Sequence, residues 1–397
     1  MLRFDFESTC KTFINKNDFN KILEKKEDIK NDLYKNTMSG WLNIIDDKLI
    51  KKIIKTSEEV KKNSKCLVVI GIGGSFLGSF AINKALDPYF NNTNFQIIYT
   101  GTTLSSKYTK ELLEYLKKID FSVNVISKSG STMEVDITYK LIKELMKKKY
   151  TKEEMKKRII ITTDEEKGPL RQEANQEGYT SFPIPSNIGG RYSILTAAHL
   201  FPLAFNYDIK KFKEGYKEGK KYIDKAYEYA AIRNLLYKKG KVIESIAVYE
   251  QNLYYFTEWL KQLLGETEGK NGKGVFPTST VQTRDLHSLG QFIQDGTKIL
   301  FETFIKVKIS DPLMYKNKDL HEIGNTVLDS VRIAHFKGNV PSLMIEIEKI
   351  DEFNLGEIVI FYMLTAAFSA FLMEVDPFNQ PGVEIYKKEI KENLRKF

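Results

Sequence analysis

The chain has 397 residues, 42% hydrophobic and 28% charged, which is enough apolar material for two or three domain-sized cores. Lys and Arg exceed Asp and Glu by 61 to 52, a formal net charge of +9, but the lysines of KKNSK, KKID, MKKKY and KEGKK are scattered as solvated helix ends, so no basic face for nucleic acid is expected. Two cysteines give no disulfide framework, MLRFDFESTCK lacks an apolar signal core, and no window approaches 18 uninterrupted apolar residues, so the expectation is a soluble, cytoplasmic protein that binds no membrane.

Residues 1–55 read as helical, with the apolar positions of WLNIIDDKLIKKIIK at helical spacing. The first clear strand is CLVVIG (66–71): short, continuous and β-branched, as for a parallel strand covered on both faces. Strand-like FQIIYTG (95–101) precedes helical SSKYTKELLEYLKKI. FSVNVIS (121–127) precedes helical TMEVDITYKLIKELMKKK, and RIIITTD (158–164) follows. This alternation predicts a first parallel sheet within 56–190, followed by a helical linker over 191–238.

A second sheet is predicted within 239–375. Its strands are KVIESIAVYE (241–250), GVFPTSTV (274–281), TFIKVKIS (303–310) and PSLMIEIEKI (341–350), with helical YFTEWLKQLLG and LHSLGQFIQDG between the first three. The apolar LGEIVIFYMLTAAFSAFLMEV (355–375) is expected to pack between layers, because Glu357 and Glu374 lie at its ends. Residues 376–397 read as a helical tail. The expected fold is α/β, with two doubly wound parallel-sheet subdomains and flanking N- and C-terminal helices.

Sites in such sheets lie at the carboxyl ends of strands. The first strand runs into GIGGSFLGS (71–79), which is no dinucleotide fingerprint, since Phe76 breaks the G-x-G-x-x-G spacing and FQIIYTG ends without an acidic residue. No Gly-Lys-Ser/Thr follows either, so what remains is a tight turn with Ser75 free to touch a ligand; close strand–helix packing alone would explain two glycines more easily than three. SKSGST (127–132) places the hydroxyls of Ser127, Ser129, Ser131 and Thr132 at a helix start, with Gly130 letting the backbone turn. One serine there would be only an N-cap, whereas four hydroxyls at the positive end of a helix suit a phosphate monoester.

SNIGGRYSILTAA (186–198) sets Arg191 after two glycines at the entry to an apolar helix, where a fixed guanidinium could neutralise a developing oxyanion. Of the four histidines, His199 and His335 sit in apolar surroundings and read as packed. His321 reads as a surface residue, and His287, just after a strand, fits an acid–base group. No pair of histidines has ligand spacing and neither cysteine is near one, so no metal is expected. In GETEGKNGKG (265–274), either Glu266 or Glu268 could do chemistry.

GIGGSFLGS, SKSGST, GGRYSILTAA, QLLGETEGK, LHSLGQFIQDG and FNQPGVEIYKK occur here in the order found in the glucose-6-phosphate isomerase family, which the chain resembles from about residue 40 to its end. Two departures are visible: SGSTMEV stands where the family more often has SGTTTEP, and the region near 310–320 is shorter. The resemblance implies two sugar-isomerase (SIS, flavodoxin-like) subdomains, a homodimer, no cofactor, and interconversion of glucose 6-phosphate and fructose 6-phosphate. It further implies that Ser127, Lys128 through its backbone, Ser129 and Thr132 hold the phosphate, with Gly74 and Ser75 nearby. By the same resemblance Arg191 stabilises an enediolate, Gln262 and Gln380 touch the sugar, and Glu266 is the base. His287, reaching the neighbouring subunit's site, opens the ring together with Lys387. Glu268 is then expected to be solvated or paired with a nearby lysine, so that Glu268→Gln would keep most activity. The rivals are an SIS isomerase that accepts mannose 6-phosphate and a non-catalytic SIS module, which would have no reason to hold Glu266, Arg191, His287 and Lys387 together.

Overall fold

The apolar runs ahead of residue 190 form one parallel sheet, in the order Gln96–Thr100, Cys66–Ile70, Phe121–Ser127, Ile159–Asp164, Thr180–Ile184. The structure, a computed structural model, describes residues 1–90, 95–130 and 132–394; Ser131 of the hydroxyl-rich loop lies outside the described residues. Every residue of the three central strands is buried, the polar Ser122, Asn124, Thr162 and Thr163 included, as in a sheet covered on both faces. Numbered along the chain the order is 2-1-3-4-5, so the winding reverses between Cys66–Ile70 and Phe121–Ser127. That reversal opens a crevice beyond the carboxyl ends of these two strands. Thr180–Ile184, which the sequence reading had not distinguished, pairs only with Ile159–Asp164; it is an edge strand and tolerates Pro183.

The second sheet repeats the winding, with Phe276–Val281, Ile243–Val248, Leu300–Val307 and Ser342–Ile347 parallel in that order. Arg3–Asp5 adds an antiparallel edge to Ser342–Ile347, which gives the motif-free N-terminus a structural role. The helix Glu352–Leu372 is long and apolar enough to cross a membrane, but 89% of its most apolar stretch is buried inside the protein, as a core helix between layers.

Two compact units result: residues 37–214, and residues 1–36 with 215–397. They divide the chain differently from the expected boundaries. Residues 37–55 and 191–214 belong with the first sheet, whereas 1–36 and 215–238 belong with the second. The stretch expected to link the sheets contains Ile223–Lys238, a helix whose buried side chains include Tyr227, Tyr229, Ile232 and Arg233. Such a helix is core rather than connector. The helix Leu320–Lys337, capped by Asp319, was absent from the sequence reading.

Candidate active site

In the unit 37–214, Ser75, Ser127, Lys128, Ser129 and Thr132 line a cleft of about 610 Å³ at the reversal point of the sheet. Local chemistry explains why the loop turns there. Gly130 takes φ +68, a left-handed conformation open to glycine, and its N–H donates to Ser127 Oγ at 3.1 Å. Thr132 is the N-cap of the helix Met133–Lys149, but its side chain makes no capping bond. The cradle therefore offers hydroxyls at the positive end of a 17-residue helix. Asp164 also lines the cleft; the backbone N–H groups of Glu166 and Lys167 hold its carboxyl below the usual range.

Arg191 is buried in the same unit, 3% exposed, in a single turn of 3-10 helix from Gly190 to Tyr192. Tyr192 stacks on Trp41 with ring centres 4.9 Å apart, and the guanidinium lies 5.8 Å from the Tyr192 ring centre. Gly74 is the reason the two turns can touch: a Cβ there would fall 2.3 Å from the Gly190 carbonyl carbon and 2.7 Å from Arg191 N. Gly74 therefore permits a backbone crossing, whatever else it contacts.

His199 locks this crossing. Its Nδ1 accepts the Ser79 N–H at 2.9 Å, so Nδ1 carries no proton. Nε2 then carries the proton and donates to the Gly74 carbonyl at 2.8 Å. Ser193 Oγ lies 3.1 Å from the same nitrogen and donates to Gly190 O at 2.7 Å. Burial pushes the His199 pKa down to about 4, which keeps the ring neutral. The expected packed histidine is packed, but the sequence reading missed that it braces the GIGGS and GGRYS turns. Its partner Gly74 lies 125 residues away, and that distance hides the signal.

The unit of residues 1–36 and 215–397 carries the other predicted residues. The helix Tyr254–Glu268 runs through GETE, so Glu266 sits in its last turn rather than in a loop. Gln262, one turn earlier on the same face, has Nε2 3.5 Å from Glu266 Oε1, and its own Oε1 is buried without a protein partner. Glu268 departs from expectation. It is fully buried and paired with Arg233, whose Nε also holds Glu244 at 2.8 Å. Burial raises the Glu268 pKa, against the opposing pull of Arg233. Of the two, only Glu266 keeps exposed surface.

The helix bearing Glu266 ends near the amino-terminal edge of its sheet. Gly265 lies against Pro277, close to the start of the strand Phe276–Val281, with about 3.5 Å from a Gly265 Cβ to the ring. Glu266 is thus at the edge opposite to the one that strand-end reasoning favours. His287 is exposed, in a 3-10 turn at the other end of the same strand, where Asp285 accepts the Val281 N–H at 2.7 Å. A strand of this length, at about 3.3 Å per residue, separates the two ends by on the order of 15 Å. Within this unit Glu266 and His287 are therefore not brought together. Lys270, four residues after Glu266, donates from its ammonium to Thr267 O at 3.0 Å and also to the Asp376 carbonyl, which ties the end of this helix to the segment that precedes Gln380. Lys387 itself is exposed on the helix Pro381–Leu394 and pairs with Glu384 at 3.0 Å.

The remaining histidines are structural. His335 is buried against Glu302 at 2.7 Å. His321, expected on the surface, has a side chain only 10% exposed. Its Nε2 lies 3.1 Å from Val307 O, because it faces carbonyls at the end of the strand Leu300–Val307.

A hydroxyl-rich cradle at the reversal point of one doubly wound parallel sheet, together with a second sheet wound in the same order, defines an α/β protein with an anion site at its strand ends. The sequence model described as phosphoglucose isomerase matches residues 47–327 and 317–396, and the chain belongs to that family. Glucose-6-phosphate isomerase of Staphylococcus haemolyticus is 44% identical over 378 residues, 88% of this chain and 85% of its own length. The Streptococcus thermophilus enzyme of the same name is 45% identical over 383 residues, with the same two coverages. Among solved structures, a hypothetical protein from Thermus thermophilus has a TM-score of 0.84 at 23% identity, covering 99% of this chain and 100% of its own. A Chlamydia trachomatis glucose-6-phosphate isomerase has 0.83 at 19%, covering 99% and 88%. These two establish the fold.

Proposed function

We infer that the protein is an aldose–ketose isomerase that interconverts glucose 6-phosphate and fructose 6-phosphate. One observation carries this: the family match spans the cradle, Arg191, Gln262, Glu266, His287, Gln380 and Lys387 together. In this reading the two sheets are SIS subdomains, and the phosphate rests on Ser127, Ser129, Thr132 and the Lys128 backbone, with Gly74 and Ser75 beside it. His287 and Lys387 open the sugar ring. Glu266 then removes the C2 proton, the electron pair left behind makes a cis-enediolate, and the buried charge of Arg191 meets it. Returning the same proton to C1, while the hydroxyl proton passes from O2 to O1 and the O2–H electron pair makes the C2 carbonyl, completes the ketose, so one carboxylate serves as base and acid. Gln262 and Gln380 orient the hydroxyls.

The reading includes a homodimer in the cytoplasm. The placement of Glu266 and His287 at opposite ends of one strand supports it, because a second copy can supply the histidine that the first holds too far away. The test is Glu266→Gln in deuterated water. Exchange at C2 should cease while a non-reacting hexitol 6-phosphate still binds; retained exchange would overturn the assignment of the base.

A further inference from the structure

We propose that the Lys128 ammonium is a positioning group that straps the phosphate cradle to the turn carrying Arg191, rather than a phosphate ligand. The inference rests on the reading above. Lys128 belongs to the SKSGST loop and lines the cleft, so a direct contact between its cation and the phosphate is the obvious alternative. The geometry points elsewhere. Nζ donates to Ser186 O at 2.8 Å and to Ile188 O at 2.9 Å, which commits two of its three N–H bonds to backbone.

Those carbonyls lie in the segment that runs directly into Gly189, Gly190 and Arg191. The far side of the same segment is already fixed. Gly40 N donates to Asn187 O at 3.2 Å, Ser39 bridges Ile188, and Gly74 backs onto Gly190. The ammonium closes the near side, so the turn is gripped from both. Half-burial lowers the Lys128 pKa from its usual value, with the nearby Asp164 carboxylate opposing that shift. A cation that merely attracted phosphate would need no such backbone contacts.

Such a strap has a consequence for catalysis. Arg191 acts on the enediolate only if its guanidinium stays where the charge develops, and misplacement of a catalytic group by about 1 Å can cost on the order of 100-fold. Phosphate affinity, set by hydroxyls and helix N–H groups, has no stake in the ammonium. Removing the strap should therefore lower kcat and leave binding nearly intact.

The experiment uses the full-length protein with Lys128→Met, Lys128→Arg, Arg191→Ala, and Lys128→Met combined with Arg191→Ala, each checked for folding by its denaturant midpoint. Turnover of fructose 6-phosphate and the inhibition constant of inorganic phosphate are the readouts. Lys128→Met is expected to lower kcat about 10- to 100-fold with KM and the phosphate constant within about twofold. Lys128→Arg, which can still reach both carbonyls, should recover most of kcat. On the Arg191→Ala background Lys128→Met should add little, because both act through one group. A rise of KM and the phosphate constant together at unchanged kcat overturns the strap in favour of a phosphate contact. Wild-type kcat in folded Lys128→Met, or full additivity with Arg191→Ala, also overturns it. If Lys128→Met does not fold, Lys128→Gln decides: lower kcat at constant KM supports the strap, and raised KM at constant kcat overturns it. Absence of turnover by the wild-type protein would instead overturn the isomerase reading, and the proposal with it.

Discussion

Arg233 and Glu268 form an ion pair with no exposed side-chain surface on either partner. Glu244 shares the guanidinium at 2.8 Å, and Ser369 Oγ accepts from it at 2.9 Å. Glu268 follows Glu266 by two residues, so the pair pins the last turn of the helix that presents the base. Glu244 still neutralises Arg233 when Glu268 is replaced, so what is lost is one buried charged hydrogen bond, worth about 1.5–3 kcal/mol. Glu268→Gln is therefore expected to lower the unfolding free energy by about 2 kcal/mol. This replaces the expectation that Glu268 is solvated or paired with a nearby lysine. Denaturant midpoints decide it, and a midpoint equal to wild type would show that the pair contributes nothing.

His199 makes stability depend on acid. Its pKa is about 4 in the folded chain against an ordinary 6.5. Between those values the unfolded chain binds a proton that the folded chain refuses, so stability is present above pH 6.5 and is lost as pH falls towards 4. The full shift corresponds to about 3 kcal/mol. Unfolding measured at pH 7 and pH 5 should show a clear drop for wild type and a smaller one for His199→Gln. Equal drops would mean that other groups carry the acid dependence.

Much of the fold was legible because the central strands of the first sheet are covered on both faces, so a run such as Cys66–Ile70 is apolar at every position. Arg3–Asp5 was not, since three residues carry no period, and Thr180–Ile184 hid behind the proline that its edge position tolerates. For the candidate site, SKSGST, GGRYS and GETEGK were readable as local chemistry. What could not be read was pairing at a distance. Glu268 finds Arg233 35 residues upstream, His199 finds Gly74 125 upstream, and no spacing rule links them. The edge of the sheet on which Glu266 falls was equally hidden, because it depends on where the helix Tyr254–Glu268 ends.

The crossing of Gly74 and Gly190 gives a steric prediction. A Cβ on Gly74 would meet backbone atoms on every near contact, starting at 2.3 Å, so no flexible side chain can yield. Gly74→Ala should cost about 1–3 kcal/mol of stability through overpacking and should lower kcat by displacing the turn that carries Arg191. Gly189→Ala is the control: its Cβ would meet nothing within 4 Å, and its φ of −72 suits alanine. Loss in both variants alike would point to backbone flexibility rather than the crossing.

The separation of Glu266 from His287 within one chain can be tested by mixing variants. Glu266→Gln and His287→Ala should each be nearly inactive as homodimers. In a hybrid dimer, the site that takes its base from the His287→Ala chain receives its histidine from the Glu266→Gln chain, and both groups are intact there. The other site in the hybrid carries both defects. Random reassembly of equal amounts gives half hybrids, each with one good site, so about a quarter of wild-type activity should return. Activity that stays at the level of the separate variants after proven subunit exchange would mean that each chain completes its own site, against the reading in which His287 crosses to the partner.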